Sequence, residues 1–329
     1  MKRLDITAPK QPWAPYLLAL LAGALLIIPV FAGIVAVLDY RQSMAPPLLS
    51  NNPCVDRKLA FMRDHRPSNV NLLVVGSSTA MRHFNSPEAI RIDPSLRPYN
   101  AGLCAINLWK SEQVTNWLTH RLPGVRRVLL FASSLDYGDC RPSAPPSLNV
   151  AEADRFVFGD TWRLGFYLKS FNATILARNS MNERRRRTDR TWFDAVVLNR
   201  LGDAPLQPPR DRPEWYVEAK LDERCLTTLH RTARELDSRG IQLAVVESPM
   251  DPRWREEFDR SGEHTALMRR RIRDALTGTH AVLIEDHNHF SPGEFYDAVH
   301  LRASSTPRFT RSVLSQLETL DRGASRPKR

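Results

Sequence analysis

Short, almost wholly apolar runs recur along the chain, each bounded by polar or turn-forming residues. Four of them have the length of β-strands: residues 71–75 (NLLVV), 127–132 (RVLLFA), 241–247 (IQLAVVE) and 281–285 (AVLIE). Continuous apolar runs of this length are typical of parallel strands, which are buried on both faces of a sheet.

Helical patterns separate these runs. Residues 217–236 place apolar side chains three or four apart, at Val217, Leu221, Cys225, Leu229, Ala233 and Leu236. Gly240 follows where a helix C-cap is expected, and the next strand begins directly after it. Residues 258–276 form a second, arginine-rich helical pattern before the last strand. Strands alternating with helices predict an α/β fold with a parallel sheet between helical layers.

The chain begins with a different pattern. Residues 11–38 contain no charged residue and are long enough to cross a hydrocarbon core of about 30 Å as a helix. Lys2, Arg3 and Lys10 precede the run, and Arg41 is the one basic residue close behind it. This bias predicts a single-pass anchor in the cell inner membrane, with residues 1–40 comprising a cytoplasmic N-terminus and a transmembrane helix. A cleaved signal peptide is the alternative, although such apolar segments are usually shorter.

The rest of the chain is then extracytoplasmic. Residues 41–53 contain three prolines and are interpreted as a spacer, and residues 54–329 as the folded domain. Residues 141–213 interrupt the strand–helix alternation and predict a helical insertion beside the sheet. The insertion has an aromatic cluster that could pack, cover a groove or rest on a membrane: Phe156, Phe158, Trp162, Phe166, Tyr167 and Phe171.

Composition narrows the function. The chain has 329 residues, 42% hydrophobic, and a formal net charge of +11, which fits a globular domain with a solvated basic surface. No nucleic-acid-binding motif is present, and no nucleic-acid partner is expected. Four cysteines in an oxidising compartment allow a bridge such as Cys54–Cys140, but the sequence does not assign the pairing. His287 and His289 lack an evident third ligand, so neither a metal nor a cofactor is expected.

Two short segments carry candidate chemistry. The first strand runs into Gly76, Ser77 and Ser78, where a helix N-terminus would stabilise negative charge on an attacked carbonyl oxygen. After the last strand, Asp297 precedes His300 by three residues, a spacing that lets the carboxylate orient the imidazole as a base. The carboxyl ends of parallel strands share one sheet edge, so these groups can meet there.

These segments resemble the SGNH (GDSL-like) hydrolase superfamily. Residues 76–78 are similar to its first block, which implies Ser78 as nucleophile. Residues 100–102 (NAG) are similar to the second block, which implies that the Gly102 N–H binds the oxyanion together with the N–H of Ser78. Residues 295–301 (FYDAVHL) are similar to the last block, which implies the roles of Asp297 and His300.

The third block departs from the family pattern. Residues 132–136 (ASSLD) stand where Gly-x-Asn-Asp is usual, and Ser134 is the hydroxyl nearest to the missing amide donor. Losing one oxyanion donor costs about 100–1,000-fold in rate. In this departure and in its single anchor, the chain resembles DltD and the SGNH-like proteins of alginate and cellulose O-acetylation.

The narrower resemblance implies an extracytoplasmic O-acyltransferase. An acetyl or aminoacyl group, delivered by a polytopic membrane-bound O-acyltransferase partner, would pass through an ester on Ser78 to a hydroxyl of a cell-envelope polysaccharide or related polymer. Two alternatives stay open at the level of sequence: a membrane-tethered esterase or deacetylase with the same triad, and a non-catalytic scaffold.

Overall fold

A parallel β-sheet flanked by helices forms the centre of the protein. The structure is a computed structural model that describes residues 13–41, 43–169, 172–188, 196–206 and 217–324. The strands are β1 (Leu72–Gly76), β2 (Pro98–Asn100), β3 (Arg127–Ala132), β4 (Gln242–Glu247) and β5 (Val282–Ile284), in the order β2-β1-β3-β4-β5 with every pairing parallel. The α/β class and the parallel sheet are as predicted.

Helices surround the sheet and precede it. They are α1 (Trp13–Tyr40), α2 (Pro53–Asp64), α3 (Ser78–His83), α4 (Ser86–Ile92), α5 (Leu108–Arg121), α6 (Val150–Val157), α7 (Arg163–Lys169), α8 (Ala173–Thr188), α9 (Glu223–Ser238), α10 (Pro252–Phe258), α11 (Glu263–Leu276) and α12 (Thr306–Ala324). Short 3-10 turns cover Ser134–Tyr137 and Pro292–Glu294.

The alternation of side chains along each strand builds two cores. Leu73 and Val75 face a layer that includes α2, α5, α9 and α11. Leu72 and Val74 face the opposite layer of α3, α4 and α12. Because successive residues of a strand point to opposite faces, all five residues of β1 are buried. Because the strands are all parallel, the loops that follow their carboxyl ends lie at one edge of the sheet.

The four predicted strands are present within one residue of their expected ends, but two helices begin later than predicted. The predicted helix 217–236 starts at Glu223, because the Asp222 side chain accepts the Arg224 N–H and caps the helix there. The predicted helix 258–276 starts at Glu263. Gly262 before it has a left-handed φ of 74°, which ends the preceding turn.

The segment interpreted as a spacer is packed against the domain. Met44, Ala45 and Leu49 are buried. The Ala45 N–H donates to Ser180 Oγ at 3.0 Å, and its carbonyl accepts the Tyr167 hydroxyl at 2.8 Å. Both partners belong to residues 141–213, whose described part contains helices α6, α7 and α8. The insertion therefore holds the chain where it leaves α1.

The suggested Cys54–Cys140 bridge is wrong. Cys54 pairs with Cys104, and Cys140 pairs with Cys225. The Cys140 N–H donates to the Asp222 carboxylate at 3.0 Å, which brings it to the start of α9, where Cys225 lies. Cys54, at the start of α2, instead meets the loop that follows β2.

Within the described part of the chain, one helix, α1, is long and apolar enough to cross a membrane. Its 28 residues have a mean hydropathy of 2.7 over the most apolar window, and 6% of that window is buried. Three basic residues that predict the orientation of α1 lie outside the described residues: Lys2, Arg3 and Lys10. Phe171 of the aromatic cluster also lies outside them.

Candidate active site

Ser78 lies at the carboxyl end of β1, as the first residue of α3. The turn before it depends on Gly76, whose φ is 132° and where a Cβ would overlap the carbonyl oxygen of Phe131. Ser77 caps α3 by accepting the Thr79 N–H on its side chain at 3.4 Å. These constraints fix the turn and leave Ser78 partly exposed at the sheet edge.

Asp297 and His300 lie on one tight turn after β5. The Oδ1 atom of Asp297 accepts the N–H groups of Val299 and His300, both at 2.9 Å. The Asp297 Oδ2 atom lies 2.7 Å from His300 Nδ1. The Asp251 N–H donates to the Ala298 carbonyl at 2.9 Å, which ties this turn to the loop after β4. The carboxylate thus organises the turn and orients the imidazole at the same time.

The turn brings His300 to the serine. His300 Nε2 lies 2.8 Å from Ser78 Oγ, across 222 residues of sequence. With its Nδ1 proton donated to Asp297, a neutral His300 has Nε2 free to accept the Ser78 hydroxyl proton. The structure therefore brings together all three residues singled out for catalysis, Ser78, His300 and Asp297, in one continuous hydrogen-bonded chain.

The electrostatics of the Asp297 carboxyl favour its ionised form. Burial alone would raise its pKa, but the charge of His300 and the hydrogen bonds from His300 and Val299 outweigh burial and lower the pKa to about 2. The carboxylate is therefore ionised near neutral pH. A buried anion in this place stabilises the imidazolium that forms when His300 takes a proton.

The two residues singled out for the oxyanion differ in their surroundings. The Gly102 N–H donates to Asn100 Oδ1 at 3.0 Å, so it has a partner other than the predicted oxyanion. A Cβ on Gly102 would lie 2.6 Å from the Met81 nitrogen, so close packing against α3 requires glycine here. Ser134 opens the 3-10 turn after β3 and is partly exposed. Its hydroxyl makes no hydrogen bond among the described residues, which leaves it available to a ligand.

Sequence reasoning missed His83, the last residue of α3. Its side chain is fully buried, and its Nε2 accepts the Leu301 N–H at 3.0 Å. Its ring also meets the His300 ring edge-on, with centroids 6.2 Å apart. Burial, together with the nearby charge of His300, lowers the pKa of His83 to about 3, so the ring is neutral near neutral pH. The sequence carries no local signal for this role, because His83 and Leu301 are 218 residues apart and meet only in the fold.

Asp136 is a second carboxylate beside the serine turn. It accepts the Ser133 N–H at 2.6 Å and the Ser133 hydroxyl at 2.8 Å, and it hydrogen-bonds the Ser77 side chain. Burial raises the pKa of Asp136, partly offset by these bonds and by the charge of His300. Asp136 thus connects the loop after β3 to the residue next to Ser78.

An open cavity of about 330 Å³ adjoins this carboxylate. It lies between the loops that follow β2 and β3, and Ala105 on its border has an unusual positive φ of 57°. Positive φ at a residue with a side chain costs about 1–3 kcal/mol and is found disproportionately at functional sites. The cavity borders Asp136, which hydrogen-bonds the Ser77 side chain, but its lining does not include Ser78 or His300. Its lining includes Ile106, Asn107, Leu135, Asp136 and Asp139.

Metal-ligand chemistry is not evident in the described part of the chain. No group of three or more His, Cys, Asp or Glu side chains suited to a metal ion is found there, and His287 and His289 have no third partner within those residues.

Comparisons with known proteins add no relative. Neither a protein-family model nor a curated protein sequence matches the chain.

Proposed function

We propose that this protein is a membrane-anchored extracytoplasmic acyltransferase that carries an acyl group as an ester on Ser78. The observation that supports the proposal most directly is the hydrogen-bonded chain from Asp297 through His300 to the Ser78 hydroxyl. A serine activated by an oriented histidine is the arrangement that acyl transfer requires.

The first half of the reaction loads the serine. Ser78 Oγ attacks the carbonyl carbon of an acyl donor while His300 Nε2 takes the hydroxyl proton, and ionised Asp297 stabilises the resulting imidazolium. The bond to the leaving group then breaks, and His300 returns its proton to that group. The product is an ester between the acyl group and Ser78.

The second half passes the acyl group on. An acceptor hydroxyl loses its proton to His300 and attacks the ester carbonyl. Ser78 leaves and regains a proton from His300, so the site returns to its starting state. We propose a hydroxyl of a cell-envelope polysaccharide as the acceptor, on the basis of the resemblance to the O-acetylation proteins. The cavity beside Asp136 offers a place for it.

Stabilisation of the oxyanion is proposed to come from the Ser78 N–H and the Ser134 hydroxyl. A hydroxyl that replaces the amide would stabilise the oxyanion less well. Complete removal of one donor from such a site costs about 100–1,000-fold in rate. This supports an enzyme that depends on a matched donor and acceptor over one that rapidly hydrolyses generic esters.

Anchoring supports the same proposal. We propose that α1 crosses the membrane with its N-terminus inside, and that a polytopic O-acyltransferase supplies the acyl group. Met44 packs in a cluster with residues of α7 and α8, and Ala45 hydrogen-bonds Ser180 and Tyr167, so the chain is held to the insertion soon after α1 ends. A site held near the membrane is suited to an acyl donor that arrives through it.

The first experiment asks whether Ser78 is a nucleophile. A fluorophosphonate probe should label the full-length protein, and Ser78→Ala should abolish the labelling. Ser315→Ala, a change at an exposed serine on α12, serves as the matched control and should label normally. Absence of labelling in the natural sequence would favour the scaffold alternative.

The second experiment separates transfer from hydrolysis. The protein is given an activated acetyl ester with an oligosaccharide acceptor, and products are identified by mass spectrometry. Acetylated oligosaccharide that requires Ser78 supports the proposal. Free acetate alone, at a rate independent of the acceptor, would favour the esterase.

A further inference from the structure

Among the described residues, the insertion contacts α1 near its C-terminal end. Val35 is 2% exposed and packs with Leu164 and Tyr167 of α7 and Leu176 of α8, and Phe31 and Ala32 border this cluster. Large side chains earlier in α1 are exposed, including Leu25 at 71%.

Charged and polar contacts of α7 lie just beyond this apolar cluster. An Arg163 guanidinium nitrogen lies 3.4 Å from Asp39 Oδ1, and a second one lies 3.6 Å from Asp64 Oδ1. The Tyr167 hydroxyl donates to the Ala45 carbonyl at 2.8 Å. Asp39 lies one helical turn after Val35 on α1, so an apolar contact is followed by a charged one, as it would be where a hydrocarbon core gives way to headgroups.

The length of α1 indicates at what depth in a membrane its contact with α7 would lie. A helix of 28 residues is about 42 Å long, and a hydrocarbon core of about 30 Å takes up about 20 residues. With Trp13 and Tyr16 at the inner interface, the core ends between about residues 33 and 36. The contact of Val35 with α7 therefore falls at the outer boundary of the core.

The outward face of α7 has the composition of an interfacial segment. Trp162 directly before the helix is 69% exposed, and Leu168 is 40% exposed. Gly165 lies between them at helical spacing, and a Cβ there would meet open space. Tryptophan is enriched where one end of a side chain is apolar and the other is wet, at the level of lipid headgroups.

The surrounding sequence has a strong charge bias. Residues 163–188 contain seven basic residues and one acidic residue. Arg178 is exposed two residues after Leu176, which packs in the cluster with Val35 of α1. Exposed basic groups close to a membrane surface complement anionic lipid headgroups.

We infer that α7 lies in the outer interfacial layer of the membrane, with Trp162 and Leu168 in contact with lipid and Arg178 near anionic headgroups. The inference rests on the proposed anchoring of α1 and is independent of the chemistry at Ser78. The insertion would then be a second membrane contact that fixes the orientation of the sheet edge over the bilayer.

Photocrosslinking of the full-length protein in lipid nanodiscs tests this. A photoreactive residue is placed at position 162 on the inferred lipid face, at position 25 in the middle of α1, and at position 267. Leu267 on α11 is the matched control, because it is an apolar side chain that is 44% exposed on another surface. Lipid adducts should form at positions 25 and 162, and none at position 267.

The outcomes separate this inference from the anchoring on which it rests. Adducts at position 25 without adducts at 162 would overturn the inference and leave the anchor intact. Loss of adducts at position 25 would refute the anchor itself. Docking of this face on an acidic polysaccharide or on a second protein would leave position 162 without lipid adducts and would also overturn the inference.

A second arm tests the charge. In discs that contain phosphatidylglycerol, Arg178→Gln should lower the adduct yield at position 162 by up to about fivefold, the factor that corresponds to about 1 kcal/mol. In discs of phosphatidylcholine alone the same change should have no effect. Equal yields from both proteins in both lipids would contradict the role given to Arg178.

Discussion

The Leu301 N–H donates to His83 Nε2 at 3.0 Å, and this bond joins the two halves of the candidate site. His83 ends the helix that Ser78 begins, and Leu301 directly follows His300. The bond is buried. A neutral imidazole carries one proton, and because Nε2 of His83 accepts here, that proton lies on Nδ1. Helix α3 and the Asp297–His300 turn are thereby held at a fixed separation.

We expect His83→Phe to slow labelling of Ser78 by about 10–100-fold, because His300 loses its fixed position and small displacements of a catalytic group are costly. The change also leaves the Leu301 N–H buried without an acceptor, at a cost of about 1–3 kcal/mol. His83→Gln should restore most of the rate, because its amide oxygen can accept the same bond. The rate is measured with a fluorophosphonate probe over a range of pH.

The control for this prediction is a substitution that destabilises the fold away from the site. Leu236→Ala on α9 removes a fully buried side chain and should lower the melting temperature without slowing the labelling of folded protein. Equal labelling rates for His83→Phe and the natural sequence would show that the His83–Leu301 bond does not position His300.

Two adjacent serines should respond differently to alanine. Ser134→Ala removes the proposed oxyanion hydroxyl, so we expect a slower acyl transfer of about tenfold or more with little change in stability. Ser133→Ala removes the hydroxyl that donates to Asp136, so we expect a loss of about 1 kcal/mol in unfolding free energy. Rates and urea unfolding of both variants check this. An unchanged rate in Ser134→Ala would remove it from the proposed site.

Much of this arrangement follows from local sequence pattern. The strands β1, β3 and β4 are apolar runs bounded by polar residues, so their existence and burial were predictable. The meeting of Ser78 with His300 was also accessible, because both follow parallel strands whose carboxyl ends share one edge. The spacing of Asp297 and His300 is itself local, since one turn brings the two side chains into contact.

Other features depend on contacts that no local pattern encodes. β2 has three residues and is defined by its pairing with β1, so its sequence, PYN, is too short to show periodicity. The partner of Cys54 is set by where α2 lies against the loop after β2. The environment of Gly102 depends on the approach of α3, which the block resemblance does not contain.

Acid should weaken the fold through Asp297. Its pKa is about 2 in the folded protein and about 3.9 in an unfolded chain, so the native state favours the ionised form. This contributes about 2 kcal/mol of stability above about pH 4, which is lost as the pH falls towards 2. Asp297→Asn lacks this dependence. Urea unfolding at about pH 5 and about pH 2.5 should show a smaller acid-induced loss in the variant, and equal losses would contradict the shifted pKa.

The same Asp297→Asn variant should also be slow. The asparagine amide has no negative charge, so it cannot stabilise the imidazolium that forms when His300 takes a proton. Its carbonyl oxygen can still accept the His300 Nδ1 proton, but without a charge. We expect labelling of Ser78 to fall by about 10³–10⁴-fold, the size of the effect when the carboxylate of such a triad is removed. Its measurement at pH values where the variant is folded separates it from the acid effect. A rate close to that of the natural sequence would argue against the triad.

Gly102→Ala discriminates between two roles of that glycine. Alanine keeps the backbone N–H, so a residue that acts only through this N–H would tolerate the change. The structure predicts otherwise, because the new Cβ would lie 2.6 Å from the Met81 nitrogen and 2.9 Å from the Ala80 Cβ, both in the helix that begins at Ser78. We expect a loss of about 1–3 kcal/mol in unfolding free energy and slower labelling of Ser78.

Gly165→Ala is the matched control for this change. It lies in α7 with open space around its Cα, so alanine should fit there and stabilise the helix by up to about 1 kcal/mol. Urea unfolding and probe labelling of the two variants are compared side by side. If Gly102→Ala were as stable and as reactive as Gly165→Ala, then close packing of the β2 loop against α3 would not be what positions Ser78.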